Sequence, residues 1–302
     1  MEKGKWTLPD GCIYEGERVN GKPHGKGKLT LPNGMFYEGD FVDGNSEGKG
    51  KMTLPNGIVW EGDFVNNKFT GKGKLTLPDG ISSEGVFVDG KLNGKGKMIL
   101  PNGTGEGDFV DDKLHGKGKM TLQDGAVYEG DFVNGNEHGK GKWTFADGGT
   151  LEGDFVNGNM HGKGKRTWAN SDVYEGDLVN GKMHGKGKYV YYPDGENYEG
   201  DFVNGNMHGK GKYTWANGNV YEGDYFNGNQ HGKGKYTWSD GGIYEGDFVE
   251  GNMHGKGKRT WADGRVYEGD WADDKRTGKG KMTYPDGKVE EGNWKDGEFL
   301  GK

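Results

Sequence analysis

The sequence predicts an all-β protein built from about 13 stacked β-hairpins, and three observations predict this class. The dipeptide Glu-Gly recurs about every 23 residues from Gly16 to Gly292. Each period contains two short stretches in which side chains alternate between two chemical characters, as they do on the two faces of a β-strand. No stretch has the apolar periodicity of an amphipathic helix.

The composition indicates a folded chain without one deep core. Glycine supplies 64 of the 302 residues, which is far above ordinary usage. The chain nevertheless contains 9 Trp, 15 Tyr and 13 Phe, and disordered chains are poor in aromatic residues. The formal net charge is −7, from 40 basic and 47 acidic residues.

The composition and the sequence also exclude several protein classes. The chain has no apolar run of membrane-spanning length and no signal-peptide core at its start. Its single cysteine, Cys12, excludes a disulfide scaffold and a cysteine-rich metal site. Mild acidity argues against a nucleic-acid partner. The expectation is a cytoplasmic protein with no cofactor, no metal and no nucleic acid.

One repeat, residues 198–220, shows the elements in order as YEGDFVNGNMHGKGKYTWANGNV. The first strand is YEGDFV, in which Tyr, Gly and Phe share one face. An Asn-Gly turn and a polar loop ending in Gly follow. The second strand is GKGKYTW, in which the second Gly, Tyr and Trp share a face opposite the Lys residues and Thr. A Pro-Asp-Gly or Ala-Asn-Gly turn leads to the next repeat.

The repeat also predicts a shape. About 26 strands at ~4.8 Å spacing would span on the order of 120 Å in a flat sheet, and twist shortens and coils such a sheet. Because an isolated hairpin is only marginally stable, each repeat depends on its neighbours.

These residues resemble the MORN repeat (membrane occupation and recognition nexus). The matching features are YEG, a following aromatic residue, NG, HG, KG and a final aromatic residue before DG, at a 23-residue step over residues 1–302. The resemblance implies an elongated, twisted, mostly single-layer antiparallel sheet, with a groove lined by its aromatic face. The family includes radial-spoke head proteins of cilia, junctophilins and protist cytoskeletal scaffolds.

The repeated residues are interpreted as structural. Glycines between the aromatic residues leave room for a neighbouring ring. The motif GKGK occurs twelve times, but it lacks the helix and the Ser or Thr of a phosphate-binding loop. The repeated Glu and Lys residues share the polar face, where cross-strand pairs are expected. No asymmetric pair of carboxylates and no Ser-His-Asp or Cys-His set is present, so no catalytic residue and no enzyme are predicted.

All eight histidines occupy one position, immediately before GKGK. Equivalent residues of neighbouring hairpins would lie about two strand spacings apart, too far to share a metal ion. A hydrogen-bonding role in the loop is therefore expected. The histidines are His24, His115, His138, His161, His184, His208, His231 and His254.

Differences between repeats mark the candidate binding region. Thirteen of the 15 tyrosines and seven of the nine tryptophans follow residue 127. Duplication of different ancestral repeats accounts for the origin of this difference, and a partner groove over residues 143–284 is the functional interpretation, since Tyr and Trp dominate interface hot spots. The predicted groove residues are Phe202, Tyr213, Trp215, Tyr221, Tyr225, Tyr236, Trp238, Tyr244, Phe248 and Trp261.

The sequence predicts a single array of repeats over residues 1–302. Two irregularities interrupt its 23-residue period. Residues 81–107 lose the tyrosine position twice and lack one residue, and an extra residue near Tyr191 and Tyr192 suggests a bulge. The chain begins with a second strand and ends near the start of another. Self-association through these end strands is therefore a further expectation.

The sequence thus predicts a non-enzymatic scaffold that binds a partner peptide along its aromatic groove. Its expected setting is a cytoskeletal or ciliary assembly of the radial-spoke type. The alternative is a protein that tethers to phospholipid at a membrane surface through its lysines. The interleaved acidic residues and the negative net charge oppose that alternative.

Overall fold

The computed structural model describes residues 1–302 and contains 27 β-strands and no helix. This is the number expected from 13 two-strand repeats preceded by a single strand, so the predicted all-β hairpin fold is confirmed. The strands are β1 (Glu2–Thr7), β2 (Ile13–Val19), β3 (Lys22–Thr30), β4 (Phe36–Val42), β5 (Asn45–Thr53), β6 (Val59–Val65), β7 (Lys68–Thr76), β8 (Ser82–Val88), β9 (Lys91–Leu100), β10 (Gly103–Val110), β11 (Lys113–Leu122), β12 (Val127–Val133), β13 (Asn136–Thr144), β14 (Thr150–Val156), β15 (Asn159–Thr167), β16 (Val173–Val179), β17 (Lys182–Val190), β18 (Asn197–Val203), β19 (Asn206–Thr214), β20 (Val220–Phe226), β21 (Asn229–Thr237), β22 (Ile243–Val249), β23 (Asn252–Thr260), β24 (Val266–Ala272), β25 (Lys275–Thr283), β26 (Val289–Lys295) and β27 (Glu298–Gly301).

The chain divides into two compact units. The first consists of residues 1–146 and 155–158, and the second of residues 147–154 and 159–302. In the first unit, each strand from β1 to β12 pairs antiparallel with the next one in sequence, and in the second the same holds from β15 to β26. Since sequential pairing needs only short connections, the topology follows directly from the two turns in each repeat.

Each hairpin is closed by a two-residue turn that requires left-handed backbone. In the hairpin of β18 and β19, Asn204 has φ 50° and Gly205 has φ 92°. Asn and Gly adopt this conformation at the lowest cost, which explains the Asn-Gly and Asp-Gly pairs. The Gly205 amide donates to the carbonyl oxygen of Met183 in the preceding hairpin, 2.9 Å away. This turn is therefore bonded to the second strand of the preceding hairpin.

The second strand starts earlier than the sequence predicts. The predicted polar loop after the turn is part of the strand, which begins at Asn206 in β19. Gly200 pairs with Gly211 and Asp201 with His208, so Gly209 and Lys210 form a bulge. Gly209 has φ 59°. The prediction of a loop was wrong because the alternation of side chains between the two faces is continuous only from GKGK onward. The bulge interrupts that alternation, so the residues before it do not show the pattern of a strand.

The two irregular regions change turns and leave the strands intact. The missing residue near position 102 gives a short turn between β9 and β10, where Leu100 pairs directly with Gly103. The extra residue near Tyr192 lengthens a turn, because the Tyr191 amide donates to the carbonyl oxygen of Glu196, five residues on. The peptide bond between Tyr192 and Pro193 is cis. The bulge suggested at Tyr191 and Tyr192 was wrong, since β17 and β18 keep nine and seven residues.

The core is a row of mostly edge-to-face rings contributed by the first strand of most repeats, called here the buried ladder. In the second unit, the Tyr198 ring lies 5.0 Å from Phe202 and 5.0 Å from Tyr225, near perpendicular to both. The same contacts continue through Tyr244 and Trp271 at 5.3 Å. Perpendicular pairs of this kind contribute about 0.5–1.5 kcal/mol each beyond their burial.

The glycines make this ladder possible, as predicted. A Cβ atom at Gly211 would lie 2.3 Å from the Tyr198 ring, and one at Gly200 would lie 2.5 Å from the Cα atom of Gly211. The ring can therefore lie flat on the neighbouring strand only when both positions lack a side chain. The Tyr198 hydroxyl group donates to the Asp201 carbonyl oxygen at 2.9 Å, which satisfies its buried polar end.

Candidate functional site

The face opposite the rings is charged and forms open troughs. In the second unit, two troughs of about 1090 and 830 Å³ are lined by Lys, Glu and Gly residues of the GKGK and EG motifs. In the first unit, a trough of about 1020 Å³ has the same lining. These concavities lie on the charged face, and the aromatic side chains do not line them.

Opposite charges are paired across neighbouring strands on this face. Lys28 lies 3.1 Å from Glu38, which confirms the predicted Glu–Lys pairs. The other lysine of GKGK pairs with the aspartate of the next repeat in most repeats, as Lys210 does with Asp224 at 2.6 Å. The exceptions are Lys72, opposite Val86, and Lys279, opposite Asn293. At exposed positions each pair contributes only a few tenths of a kcal/mol. The pairing offsets much of the lysine charge that lines the troughs.

The repeated aspartate has a second role that sequence reasoning missed. The Asp224 carboxylate accepts the Lys233 amide at the bulge of its own hairpin, 3.0 Å away, while its other oxygen faces Lys210 of the preceding hairpin. One carboxylate therefore closes the bulge and links two hairpins. The signal was available, since an aspartate occupies this position in most repeats and a glycine follows His at the bulge.

A second row of rings, contributed by the second strands, lies half-buried on the same face as the buried ladder. We call this row the aromatic strip and define it as Trp168, Tyr189, Tyr191, Tyr213, Trp215, Tyr236 and Trp238, followed by Trp261. Neighbouring rings from Trp168 to Trp238 lie 4.4 to 6.0 Å apart, all within the second unit. The Arg259 guanidinium group lies over Trp238 at 4.3 Å and over Trp261 at 4.7 Å, and so continues the row.

Polar side chains from the preceding turn hold the tyrosines of the strip in place. The Tyr213 hydroxyl group donates to Glu196 at 2.8 Å, and the Tyr189 hydroxyl group donates to Asp172 at 2.9 Å. At the equivalent position, the Asn219 side-chain amide donates to the Tyr236 hydroxyl oxygen at 2.9 Å. Sequence reasoning missed these positions, although each lies 17 residues before its tyrosine.

Burial and a bond to a carboxylate both raise the pKa of two of these hydroxyl groups. Burial, followed by the hydrogen bond to Glu196, raises the pKa of Tyr213. Burial and the bond to Asp172 raise the pKa of Tyr189 in the same way. The Asp172 carboxyl group has a lowered pKa, mainly because it also accepts the Tyr192 amide at 2.8 Å. The hydroxyl groups of Tyr189, Tyr213 and Tyr236 thus have their hydrogen-bond partners within this chain.

The structure sorts the ten predicted groove residues into two sets. Five belong to the aromatic strip and are half-buried: Tyr213, Trp215, Tyr236, Trp238 and Trp261. The other five are in the buried ladder and at most 4% exposed: Phe202, Tyr221, Tyr225, Tyr244 and Phe248. A partner can reach only the first set without opening the sheet, while the second set supports it from beneath.

The histidine position is next to the hairpin turn of the following repeat. The His115 Nδ1 atom accepts the Asn134 amide at 3.5 Å. In repeats without His, Glu47 accepts the Asn66 amide at 2.9 Å and Thr70 accepts the Asp89 amide at 3.1 Å. The predicted loop hydrogen bond is thus formed by His115 but not by the Nδ1 atoms of His24, His138, His208 and His254, which are buried without a hydrogen-bond partner, so the prediction is wrong for those four histidines.

The remaining chemistry of the surface is sparse. No group of three or more His, Cys, Asp and Glu residues is placed to hold a metal ion. The single cysteine, Cys12, is buried, and its pKa is raised by burial. The structure has no helix that is long and apolar enough to cross a membrane. The arrangement thus offers ring faces and paired charges.

A sheet of sequential two-strand repeats with a Tyr-Glu-Gly first strand and a GKGK second strand defines a hairpin repeat protein. The MORN repeat family matches this chain in twelve consecutive segments between residues 14 and 289, so the chain belongs to that family. Membership supports a non-enzymatic protein that acts as an interaction scaffold. No curated protein matches the chain.

The solved structures that match this chain share little sequence with it. The TCP domain of Drosophila melanogaster SAS-4 (dCPAP), in complex with a proline-rich motif of Ana2 (dSTIL), is 15% identical, with a TM-score of 0.34 over 59% of this chain and 90% of that chain. The TCP10 domain of Danio rerio CPAP, in complex with a STIL peptide, is 16% identical, with a TM-score of 0.25 over 97% and 100%. A streptogramin B lyase is 13% identical, with a TM-score of 0.15 over 97% and 83%. These similarities are too weak to bear on function.

Proposed function

We propose that this chain is a non-enzymatic scaffold that binds an extended or helical peptide of a protein partner on its aromatic strip. The main observation in support of this proposal is that the aromatic strip is continuous and half-buried. Tyr and Trp supply large, rigid contact area and are enriched among interface hot spots. Rings that are already held by Glu196, Asp172 and Asn219 lose little further freedom on binding.

The difference between repeats supports placing the site in the second unit. In the first unit, the positions equivalent to Tyr213 and Trp215 are Met52 and Leu54. Those side chains follow the same backbone register, since Met52 pairs with Tyr37 as Tyr213 pairs with Tyr198. The chain thus contains two versions of one surface, and only the aromatic version has the composition of a hot spot.

The expected setting is a cytoplasmic protein assembly of the cytoskeleton or of the ciliary axoneme, of the radial-spoke type. The family resemblance is what supports this setting. A membrane surface is the alternative, and the extensive Lys–Asp and Lys–Glu pairing opposes it, because paired lysines contribute less attraction to anionic lipid. Self-association through end strands stays a prediction.

The test compares matched double variants. Replacing Trp215 and Trp238 by Ala is expected to weaken binding of partners isolated by pull-down by ~2 kcal/mol, or about 30-fold. The control replaces the equivalent Leu54 and Leu77 by Ala, which should leave partner binding unchanged. Circular dichroism verifies that both variants are folded. Unchanged affinity in the folded tryptophan variant contradicts the proposal, and flotation of the protein with anionic vesicles would favour the membrane alternative.

A further inference from the structure

Three arginines are concentrated in two consecutive repeats at the end of the aromatic strip. The chain has five arginines, and Arg259, Arg265 and Arg276 lie within 18 residues of one another. They occupy three different positions of the repeat. Arg259 replaces the tyrosine of the strip, Arg265 replaces the residue that orients the next tyrosine, and Arg276 replaces the methionine before the bulge. We call these three residues the arginine cluster.

The fold brings these three positions together around one tryptophan. The guanidinium groups of Arg259, Arg265 and Arg276 lie 4.7, 5.2 and 6.0 Å from the Trp261 ring centre. They line a cleft of about 250 Å³ together with Lys275, Trp271, Asp274 and Gly297. A cleft of this volume holds several waters or one acidic side chain, since a water takes about 30 Å³.

The cluster has more donors than the chain satisfies. Arg259 forms no ion pair, and its Nε atom is buried without a hydrogen-bond partner. Arg265 is paired with Asp263 at 2.8 Å, and Arg276 donates to the Gly297 carbonyl oxygen. The nearest acid in the cleft is Asp274, but one of its oxygens already accepts the Met253 amide at 2.8 Å. A buried donor without an acceptor is costly, so an incoming acceptor is favoured.

The electrostatic environment points the same way. Burial lowers the pKa of Arg259, and the neighbouring Arg265 and Arg276 lower it further, against the opposing effect of Asp240 and Asp274. Burial likewise lowers the pKa of Arg276. Like charges are thus held close together in a partly desolvated cleft, where an oxyanion would relieve their repulsion.

We propose that the arginine cluster is an oxyanion subsite, which takes an acidic side chain of the peptide bound on the aromatic strip. The part of this inference that concerns the peptide rests on the proposed function. The existence of an oxyanion site rests only on the arginine cluster. Arginine is suited to the role because its planar fork binds carboxylate or phosphate through two parallel hydrogen bonds. Because Arg259 touches both Trp238 and Trp261, the acidic side chain would set the register of the peptide on the strip.

The chain contains its own matched control. Arg166 occupies the same position in its repeat as Arg259 and lies over Trp168 at 4.7 Å. The positions equivalent to Arg265 and Arg276 are Asp172 and Met183 there. Arg166 therefore has the ring contact without the cluster, and Arg166→Gln removes the same charge without touching the cleft.

The first experiment needs no partner. Succinate and inorganic phosphate are titrated separately into the full chain, and the Nε–H signal of Arg259 and the indole signal of Trp261 are followed by NMR. We expect saturable shifts with millimolar dissociation constants, weakened about tenfold or more by Arg276→Gln and by Arg265→Gln and unchanged by Arg166→Gln. Arg265→Gln provides a second test if loss of the Arg276 contact with Trp294 disturbs folding. Absence of saturable shifts overturns the proposal.

The second experiment tests the peptide side and the membrane alternative. The Pro-Pro-Glu and Pro-Pro-Gln repeat peptides, of equal length, are compared, because proline-rich chains dock on aromatic surfaces. We expect the Glu peptide to bind more tightly than the Gln peptide. This difference in affinity should disappear in Arg276→Gln and persist in Arg166→Gln. Equal affinity of the two peptides for the unmodified chain overturns the proposal. Binding to phosphoinositide vesicles that depends on Arg276, without binding of the soluble anions, also overturns it. The anion titration uses no peptide, so its result does not depend on whether the Trp215 and Trp238 variant loses partner binding. The oxyanion site and the peptide-binding function can therefore be refuted independently.

Discussion

The ring of Tyr198 lies in the space that a side chain at position 211 would occupy. A Cβ atom on Gly211 would be 2.3 Å from the ring, well inside van der Waals contact. The ring cannot move away easily, because it is wedged between Phe202 and Tyr225, each 5.0 Å away. A single added carbon atom must therefore displace the buried ladder or separate the strands.

Gly211→Ala should destabilise the second unit by about 1–3 kcal/mol, the usual cost of overpacking a tight core. The thermal unfolding midpoint measures the effect. The control is Gly205→Ala, whose Cβ atom would meet nothing within 4 Å and whose φ is 92°. That variant is expected to cost about 1 kcal/mol from backbone strain alone. A smaller effect at Gly211 than at Gly205 would contradict the packing account.

The acid stability of the second unit should depend on Asp177. The Lys163 ammonium group, 2.7 Å from the Asp177 carboxylate, is the main cause of the lowered pKa of that group, and the Lys186 amide contributes to it. Since the folded pKa is below the unfolded value of 3.8, the contribution to stability is present above that pH and is lost as pH falls through the folded pKa.

The measurement is the thermal unfolding midpoint between neutral pH and about pH 2. Asp177→Asn should lower the midpoint at neutral pH and flatten its decline in acid, because Asn keeps an acceptor for the Lys186 amide but loses the charge. Asp194→Asn, in an exposed turn, should have the same acid decline as the unmodified chain. An unchanged acid decline in Asp177→Asn would refute the assignment.

Asn67 shows how a turn can do without glycine. Its φ is 67°, and its side-chain oxygen accepts the Ser46 amide at 2.7 Å and the Ser46 hydroxyl group at 3.1 Å. Asn67→Gly loses both hydrogen bonds, about 2 kcal/mol, and relieves left-handed strain of about 1 kcal/mol, so we expect a net cost of about 1 kcal/mol, measured by the thermal midpoint. Asn67→Ala loses both bonds and keeps the strain, so it should cost about 2 kcal/mol. Equal midpoints for the two variants would be inconsistent with this division.

The sequence was sufficient for the features that repeat in every hairpin. The Gly-Gly pairing of Gly200 with Gly211 and the packing of Tyr198 over it follow from alternation and from the position of the glycines. The Lys–Glu pairs follow from the same alternation. These features were predictable because each depends on residues that are directly opposite in register.

The division between buried ladder and aromatic strip was not predictable from alternation. Phe202 and Trp215 belong to the same face, yet Phe202 is buried and Trp215 is half-buried. Tyr198 and Tyr213 pair directly, on the side of the Gly200 and Gly211 pair away from the bulge at Gly209 and Lys210. Tyr198 is nevertheless buried and Tyr213 half-buried, so register alone does not separate the two rows. The bulge itself is closed by the Asp201 carboxylate, a contact across nine residues that a period-two pattern does not contain.

The alkaline limit of stability should be set by the tyrosines of the buried ladder. Burial, followed by the nearby Asp177 charge, raises the pKa of Tyr174 to about 12. Its hydroxyl group donates to the Asp177 carbonyl oxygen at 2.6 Å, a bond that tyrosinate cannot make. Tyr267 is also fully buried, and burial raises its pKa to about 12. Because these folded values exceed the unfolded value of 10.0, the contribution is present below pH 10 and is lost as pH rises through the folded pKa.

We therefore expect the thermal midpoint to fall steadily above about pH 10, with tyrosinate absorbance appearing together with unfolding. Tyr174→Phe should cost about 1 kcal/mol at neutral pH, because the hydroxyl bond is lost, and should reduce the alkaline decline, because one ionisable group is removed. The control is Tyr192→Phe, since Tyr192 is 64% exposed and lies outside the buried ladder, so this change should leave the alkaline decline as it is in the unmodified chain. If the absorbance of all tyrosines titrates near pH 10 while the sheet stays folded, the ladder tyrosines are accessible to hydroxide and the burial account is wrong.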